Sequence, residues 1–175
     1  MIKSVGRVVV LTGPGKGKSS SAFGMVFRAA GWGMRVLVIQ FIKGKWKTGE
    51  EMAAARFDNI EWHALGEGFT WESEDPERDR STCRAAWALS CERIRSGLYD
   101  MVVLDEINYA IGFGWISGEE CADFIQKEKP ASLHLILTGR DAPGPLLAIA
   151  DIVTVMGEEK HLFYDGGKAV RGVEF

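Results

Sequence analysis

Residues 11–23 read LTGPGKGKSSSAF. Arg7-VVVLT, leading into this stretch, has the character of a fully buried strand. After it, Ser20 to Ala30 places Phe23, Val26, Phe27 and Ala30 on one helical face. A glycine-rich turn between a strand and a helix is the setting of a phosphate-binding loop, whose usual spelling is G-x-x-x-x-G-K-[ST]. Here only three residues separate Gly13 from Gly17-Lys18-Ser19, and an extra lysine, Lys16, stands among them. The loop is one residue short. Its reading decides both the fold and the chemistry.

The alternation continues outward. Arg35-VLVIQF, Asn59-IEWHAL, Met101-VVLDE, Leu133-HLILT and Asp151-IVTVM read as strands. Helical patterns fall at Thr48–Phe57, Ser117–Lys127 and Leu146–Ala150. Asp75-Pro76 reads as an N-cap with proline in the first turn, opening a long helix to about Ser96. Strands apolar on both faces, alternating with helices, predict an α/β fold with a mostly parallel central sheet covered by helices on both sides. With the loop after the first strand, this is the P-loop NTPase (RecA-like) class. No repeat or linker divides residues 1–175, so a single domain is expected.

Composition excludes several function classes. The 175 residues carry a formal net charge of −3, which argues against bulk nucleic-acid binding and requires any anionic ligand to be held by local cations. No segment approaches the apolar length of a membrane span, and the first strand begins too early for a signal peptide. Three cysteines without C-x-x-C spacing predict reduced thiols and a cytoplasmic location. Cys83, Trp87, Cys91, Ile94 and Leu98 share one helical face, which makes the two cysteines Cys83 and Cys91 expected core residues. The histidines His63, His134 and His161 are scattered and read as structural.

Within the loop, Gly13, Gly15 and Gly17 let backbone N–H groups approach an anion, and the following helix adds its own free N–H groups. Lys18 supplies a point charge, and Ser19 or Ser20 can offer a hydroxyl to Mg²⁺. Asp105-Glu106 end an apolar strand; two carboxylates beside a polyphosphate imply a divalent cation between them. Arg140, in LTGR, falls on the rim where the strands' carboxyl ends meet. Arg28 reads either as a phosphate contact or as a solvated helix residue. Phe69 and Trp71, in GEGFTWES (66–73), would point to one side if extended, as a binding surface or as packing under a loop.

Taken in order, G-x-G-K-G-K-[ST], A-F-G, R-A-A-G-x-G-M-R-V, Q-F-I-K-G, T-G-E, G-x-G-F-T-W-E, L-D-E-I-N, L-T-G-R, A-D-x-V-T and K-H-x-F-x-x-G-x-K-A-x-x-G-x-E-[FY] span nearly the whole chain. This set resembles the ATP:corrinoid adenosyltransferases of cobalamin biosynthesis and salvage, in which the short loop is itself a family trait. The resemblance implies that ATP lies reversed along the loop. A Co(I) corrinoid then attacks the ribose 5′-carbon and tripolyphosphate leaves. It implies that Gly13, Pro14, Gly15, Lys16, Gly17, Lys18, Ser19, Ser20, Arg28 and Arg140 bind the nucleotide. Ser19, Asp105 and Glu106 would attend Mg²⁺ or Mn²⁺. Lys18 would act as the catalytic cation, with Phe69 and Trp71 against the lower face of the corrin. It also implies an electron donor such as a flavoprotein, and a homodimer.

The chain departs from that pattern at Pro14, which removes an N–H; at Ser19 and Ser20, where threonines are usual; and at Asp141, where glycine is usual. Members of that family often carry an N-terminal extension that helps cover the corrinoid, whereas about six residues precede the first strand here. The competing readings are an ATPase or nucleoside kinase, which would release ADP, and a carrier that binds both ligands without turnover. A thymidine-kinase-like zinc cysteine set is absent from the sequence.

Overall fold

The computed structural model describes residues 5–42, 47–66, 76–161, 164 and 166–174. Phe69, Trp71 and the expected Asp75 cap lie outside them. The elements in chain order are β1 (Val8–Thr12), α1 (Lys18–Gly31), β2 (Val36–Gln40), α2 (Gly49–Ala54), β3 (Ile60–Ala64) and α3 (Pro76–Arg95). They continue with β4 (Met101–Asp105), α4 (Ile107–Gly112), α5 (Gly118–Glu128), β5 (His134–Thr138), α6 (Gly144–Ile149) and β6 (Ile152–Val155).

The strands form one sheet in the order β3-β2-β4-β5-β1-β6, and every pairing is parallel. The expected parallel sheet is therefore present, with all of its described pairings parallel. Parallel neighbours need crossovers, and the intervening helices supply them. Alternate residues of each strand face opposite layers. Val9, Leu11, Val36, Val38, Val103 and Ile136 pack with Phe23 and Val26 of α1. Val8, Val10, Leu37, Ile39, Leu104, Leu135 and Leu137 pack on the other side with residues of α3 to α6, among them Trp87, Ile107, Cys121 and Leu146. The four central strands β1, β2, β4 and β5 are buried on both faces, which explains why their sequences show no polar alternation, whereas the half-buried edge strand β3 alternates in IEWHA.

Three features are not foreseen in the sequence. Leu98 is 50% exposed, because α3 stops at Arg95 and the helical face that would have buried it ends there. β6 is an edge strand, exposed along its whole length despite its apolar sequence. The six-residue α4 follows β4 directly and is too short for a periodic pattern to reveal. Cys83 is buried as expected, whereas Cys91 is only partly buried against the core, and Cys121 is buried as well. Burial pushes the Cys83 and Cys91 thiols up to about 11, out of reach of thiolate chemistry at neutral pH.

Leu135 has no exposure at the centre of the sheet. Leu135→Ala is expected to cost about 3 kcal/mol. Urea unfolding should show a lower midpoint with an unchanged slope; a shift below a quarter of that size would contradict this packing.

Candidate functional site at the carboxyl rim of the sheet

The loop leaves β1 and is seated on the exit of β6. Met156 N donates to Thr12 O at 2.8 Å, and Gly15 N donates to Met156 O at 2.9 Å. Gly13 has φ +103°, and a Cβ there would stand 2.5 Å from Met156 O. A Cβ on Gly15 would overlap the carbonyl of Gly157. Glycine is thus demanded at both positions by backbone packing, before any ligand is considered. Gly17, also left-handed, is the N-cap of α1 and offers no side-chain acceptor to the helix's first N–H groups. Those donors stay available to an anion.

Lys18 begins α1 and folds back over the loop. Its Nζ donates to Gly13 O at 2.8 Å and to Gly15 O at 2.5 Å. Burial draws its pKa below the ordinary lysine value of 10.5 and the Arg140 charge acts the same way, while Glu106, Glu158 and Asp141 oppose both. The cation is therefore only partly compensated, and an arriving polyanion would stabilise its charged form.

Across the rim stands the acidic pair. β5 alone separates β1 from β4, so loop and carboxylates lie about two strand spacings apart, roughly 10 Å. Glu106 is left-handed (φ 64°, ψ 18°) at the N-cap of α4. Its N–H donates to Thr138 Oγ1 at 2.9 Å, and Thr138 Oγ1 donates to Asp105 Oδ1 at 2.7 Å. Asp105 is fully buried, and its Oδ2 accepts from Gln40 Nε2 at 2.9 Å.

One cleft brings together the loop from Pro14 to Ser20 with Glu106, Thr138, Gly139 and Arg140. Asp105 lies behind it, with both oxygens engaged by protein donors. Arg28 does not join this cleft: it is exposed in the last turn of α1, about 15 Å along the helix axis from Lys18. Sequence reasoning assigned no role to the cleft's far wall, formed by His161, Val173 and Glu174. Glu174 pairs with Lys16 at 3.4 Å and accepts from Val170 N at 2.7 Å. The tract K-H-x-F-x-x-G-x-K-A-x-x-G-x-E-[FY] is a recognisable motif, but nothing in its spacing says that it folds back onto the loop.

Among the described residues no group of three or more His, Cys, Asp or Glu side chains could hold a metal ion. The oxygen-bearing residues that line the cleft include Ser19, Ser20 and Glu106, with Glu174 engaged by Lys16. Few, hard oxygen donors beside a phosphate-binding loop suit Mg²⁺ or Mn²⁺, which takes one or two carboxylates and fills its shell with substrate oxygens and water.

A strand, a glycine loop, a Lys-Ser helix start and a carboxylate across one intervening strand define a P-loop α/β protein. The chain belongs to the ATP:corrinoid adenosyltransferase BtuR/CobO/CobP family, which it matches over residues 4–175. It is 46% identical to a corrinoid adenosyltransferase of Sinorhizobium sp. over 97% of this chain and 80% of that protein. A corrinoid adenosyltransferase of Pseudomonas aeruginosa is also 46% identical, over 97% and 84%. The corrinoid adenosyltransferase CobA of Salmonella typhimurium is 37% identical, over 97% and 86%. Among the described residues no helix is long and apolar enough to cross a membrane.

Gly13→Ala would force a side chain onto Met156 in a strained backbone conformation. Affinity for a fluorescent nucleoside triphosphate, read by titration, is expected to fall roughly tenfold or more. Unchanged affinity would show that the loop's seat on Met156 does not shape the anion site.

Proposed function

We propose that this chain transfers the 5′-deoxyadenosyl group of ATP to the Co(I) centre of a corrinoid and releases tripolyphosphate. The observation that carries the reading is the one-residue-short loop with Lys18 lying across its carbonyls, in a chain that matches the family over residues 4–175. The Co(I) electron pair forms the cobalt–carbon bond at C5′. The C5′–O bond breaks, and its pair leaves with the triphosphate. No general base is required, in keeping with a rim where Lys18, Arg140 and backbone N–H groups face the cleft.

These donors act on the leaving group. Triphosphate gains charge as the carbon–oxygen bond breaks, and fixed N–H groups and cations stabilise that charge without reorganising. Gly13 to Ser20 cradle the phosphates, and Arg140 lies on the same rim; the exposed Arg28 is left out of this assignment. Ser19 and Glu106 are the residues that would hold Mg²⁺ or Mn²⁺, which would add charge neutralisation on the phosphates. To Phe69 and Trp71 we assign contact with the corrin face, keeping the axial base off cobalt so that Co(II) accepts an electron more readily. An external donor such as a flavoprotein supplies that electron. A cytoplasmic homodimer is the working form of the protein in this reading.

Incubation with Mg-ATP and chemically reduced cobalamin tests the reading. The visible spectrum should change to that of an alkyl-cobalt corrinoid, with tripolyphosphate as the inorganic product. ADP and orthophosphate without a cobalt–carbon bond would replace it with the ATPase reading. Binding without turnover would replace it with the carrier reading.

Lys18→Ala is expected to lower turnover by roughly two to three orders of magnitude. Because the free protein's Lys18 deprotonates below the ordinary lysine value, ATP affinity should be full below that lowered pKa. It should be lost as pH rises through it; Lys18→Arg should flatten this profile. A flat wild-type profile would remove Lys18 from the phosphate contact. Phe69→Ala or Trp71→Ala should impair reaction from Co(II) corrinoid more than from supplied Co(I). Equal losses would indicate packing alone.

A further inference from the structure

A line of polar groups runs through the sheet's apolar interior and ends at Glu106. Trp62 Nε1 donates to Gln40 Oε1 at 2.9 Å, and Gln40 Nε2 donates to Asp105 Oδ2 at 2.9 Å. Asp105 Oδ1 accepts from Thr138 Oγ1, which in turn accepts from the Glu106 N–H. Gln40, Asp105 and Thr138 are each 1% exposed or less. The direction of every bond is fixed. An indole can only donate, so the Gln40 amide must turn its oxygen to Trp62 and its NH₂ to Asp105. A carboxylate then accepts at both ends, which forces the Thr138 hydroxyl to donate inward and leaves its lone pairs for Glu106.

Such a line is costly in a core where Leu104, Leu137 and Ile39 would otherwise pack, unless every member is satisfied. Its geometric result is specific. It anchors the N–H of Glu106, which with Asp141 is one of two non-glycine residues with left-handed backbone among the described residues. Glu106 is thereby held where its side chain lines the cleft, while Asp105 is turned away from it.

We infer that Gln40, Asp105 and Thr138 are positioning residues that fix Glu106 for a divalent cation, with Trp62 setting the orientation of the Gln40 amide. The inference rests on the proposed role of Glu106 and deepens it. Asp105 acts through Thr138 and not as a ligand. The Q of Q-F-I-K-G and the T of L-T-G-R become parts of one device, contributed by β2 and β5 to the strand between them.

Calorimetric titration with ATP, once with Mn²⁺ and once with EDTA, yields a metal-dependent gain in affinity as the ratio of the two constants. Thr138→Val keeps the shape but removes the hydroxyl. It is expected to lower that gain about tenfold, the scale of losing an outer partner of a metal ligand, whatever smaller change the EDTA value shows. Thr138→Ser restores the hydroxyl and should stay within about threefold of wild type. Gln40→Met should fall with Thr138→Val, and Trp62→Phe, which retains the ring against Phe23, should lose about threefold.

Equal losses with and without Mn²⁺ would reduce the line to core packing and overturn the inference. So would an undiminished gain in both Thr138→Val and Gln40→Met while Glu106→Gln loses it. An undiminished gain in Glu106→Gln itself would overturn the metal role of Glu106 and this inference together. If Thr138→Val fails to fold, Gln40→Met and Trp62→Phe decide on the same ratio.

Discussion

The rest of the structure depends on the backbone contact between the glycine loop and the end of β6. Met156 closes onto Thr12 and receives Gly15, and side chains are excluded from Gly13 and Gly15 because that strand end occupies the space. This seat lets a shortened loop hold its shape. It also brings the chain after β6 to the rim, from which Glu174 returns to Lys16. An edge strand exposed along its length is a poor contributor to a core. Its value lies in where it ends.

The rim resolves an electrostatic problem. A chain with net charge −3 offers no general attraction to a nucleoside triphosphate, so the attraction must be local. Lys18 is kept partly uncompensated by burial and by Arg140, and the N–H groups at the start of α1 face the same space. Opposite them, the Glu106 carboxylate would repel phosphate unless a cation intervened. Between the two sides lies only the end of β5. A triphosphate held there is stabilised most as its charge grows, which favours chemistry in which it departs whole.

Much of this was legible in the sequence. The loop's context between a buried strand and a helix identified the fold, and strands apolar on both faces foretold the covered parallel sheet. The LDE and LTGR ends were correctly expected to share a rim, because parallel strands present their carboxyl ends together. What escaped were features without periodicity. The six-residue α4 leaves no repeat to read, and Leu98 continued a helical face that the chain itself abandons at Arg95. Asp105 and Glu106 look equivalent in LDE. Only the hydrogen bonds of Gln40 and Thr138 distinguish a buried anchor from a cleft-facing carboxylate. Arg28 carries the right charge, but helical rise takes it away from the loop. The role of the C-terminal tract depends on long-range folding that spacing does not encode.

The account stands on triphosphate leaving from carbon, not on transfer of a phosphoryl group. ATP labelled with ¹⁸O at the oxygen bridging C5′ and the α-phosphorus separates these directly in a single turnover with reduced corrinoid. Recovery of the label in tripolyphosphate, by mass spectrometry, is the predicted result. Label retained on a nucleotide product, with unlabelled orthophosphate released, would contradict it.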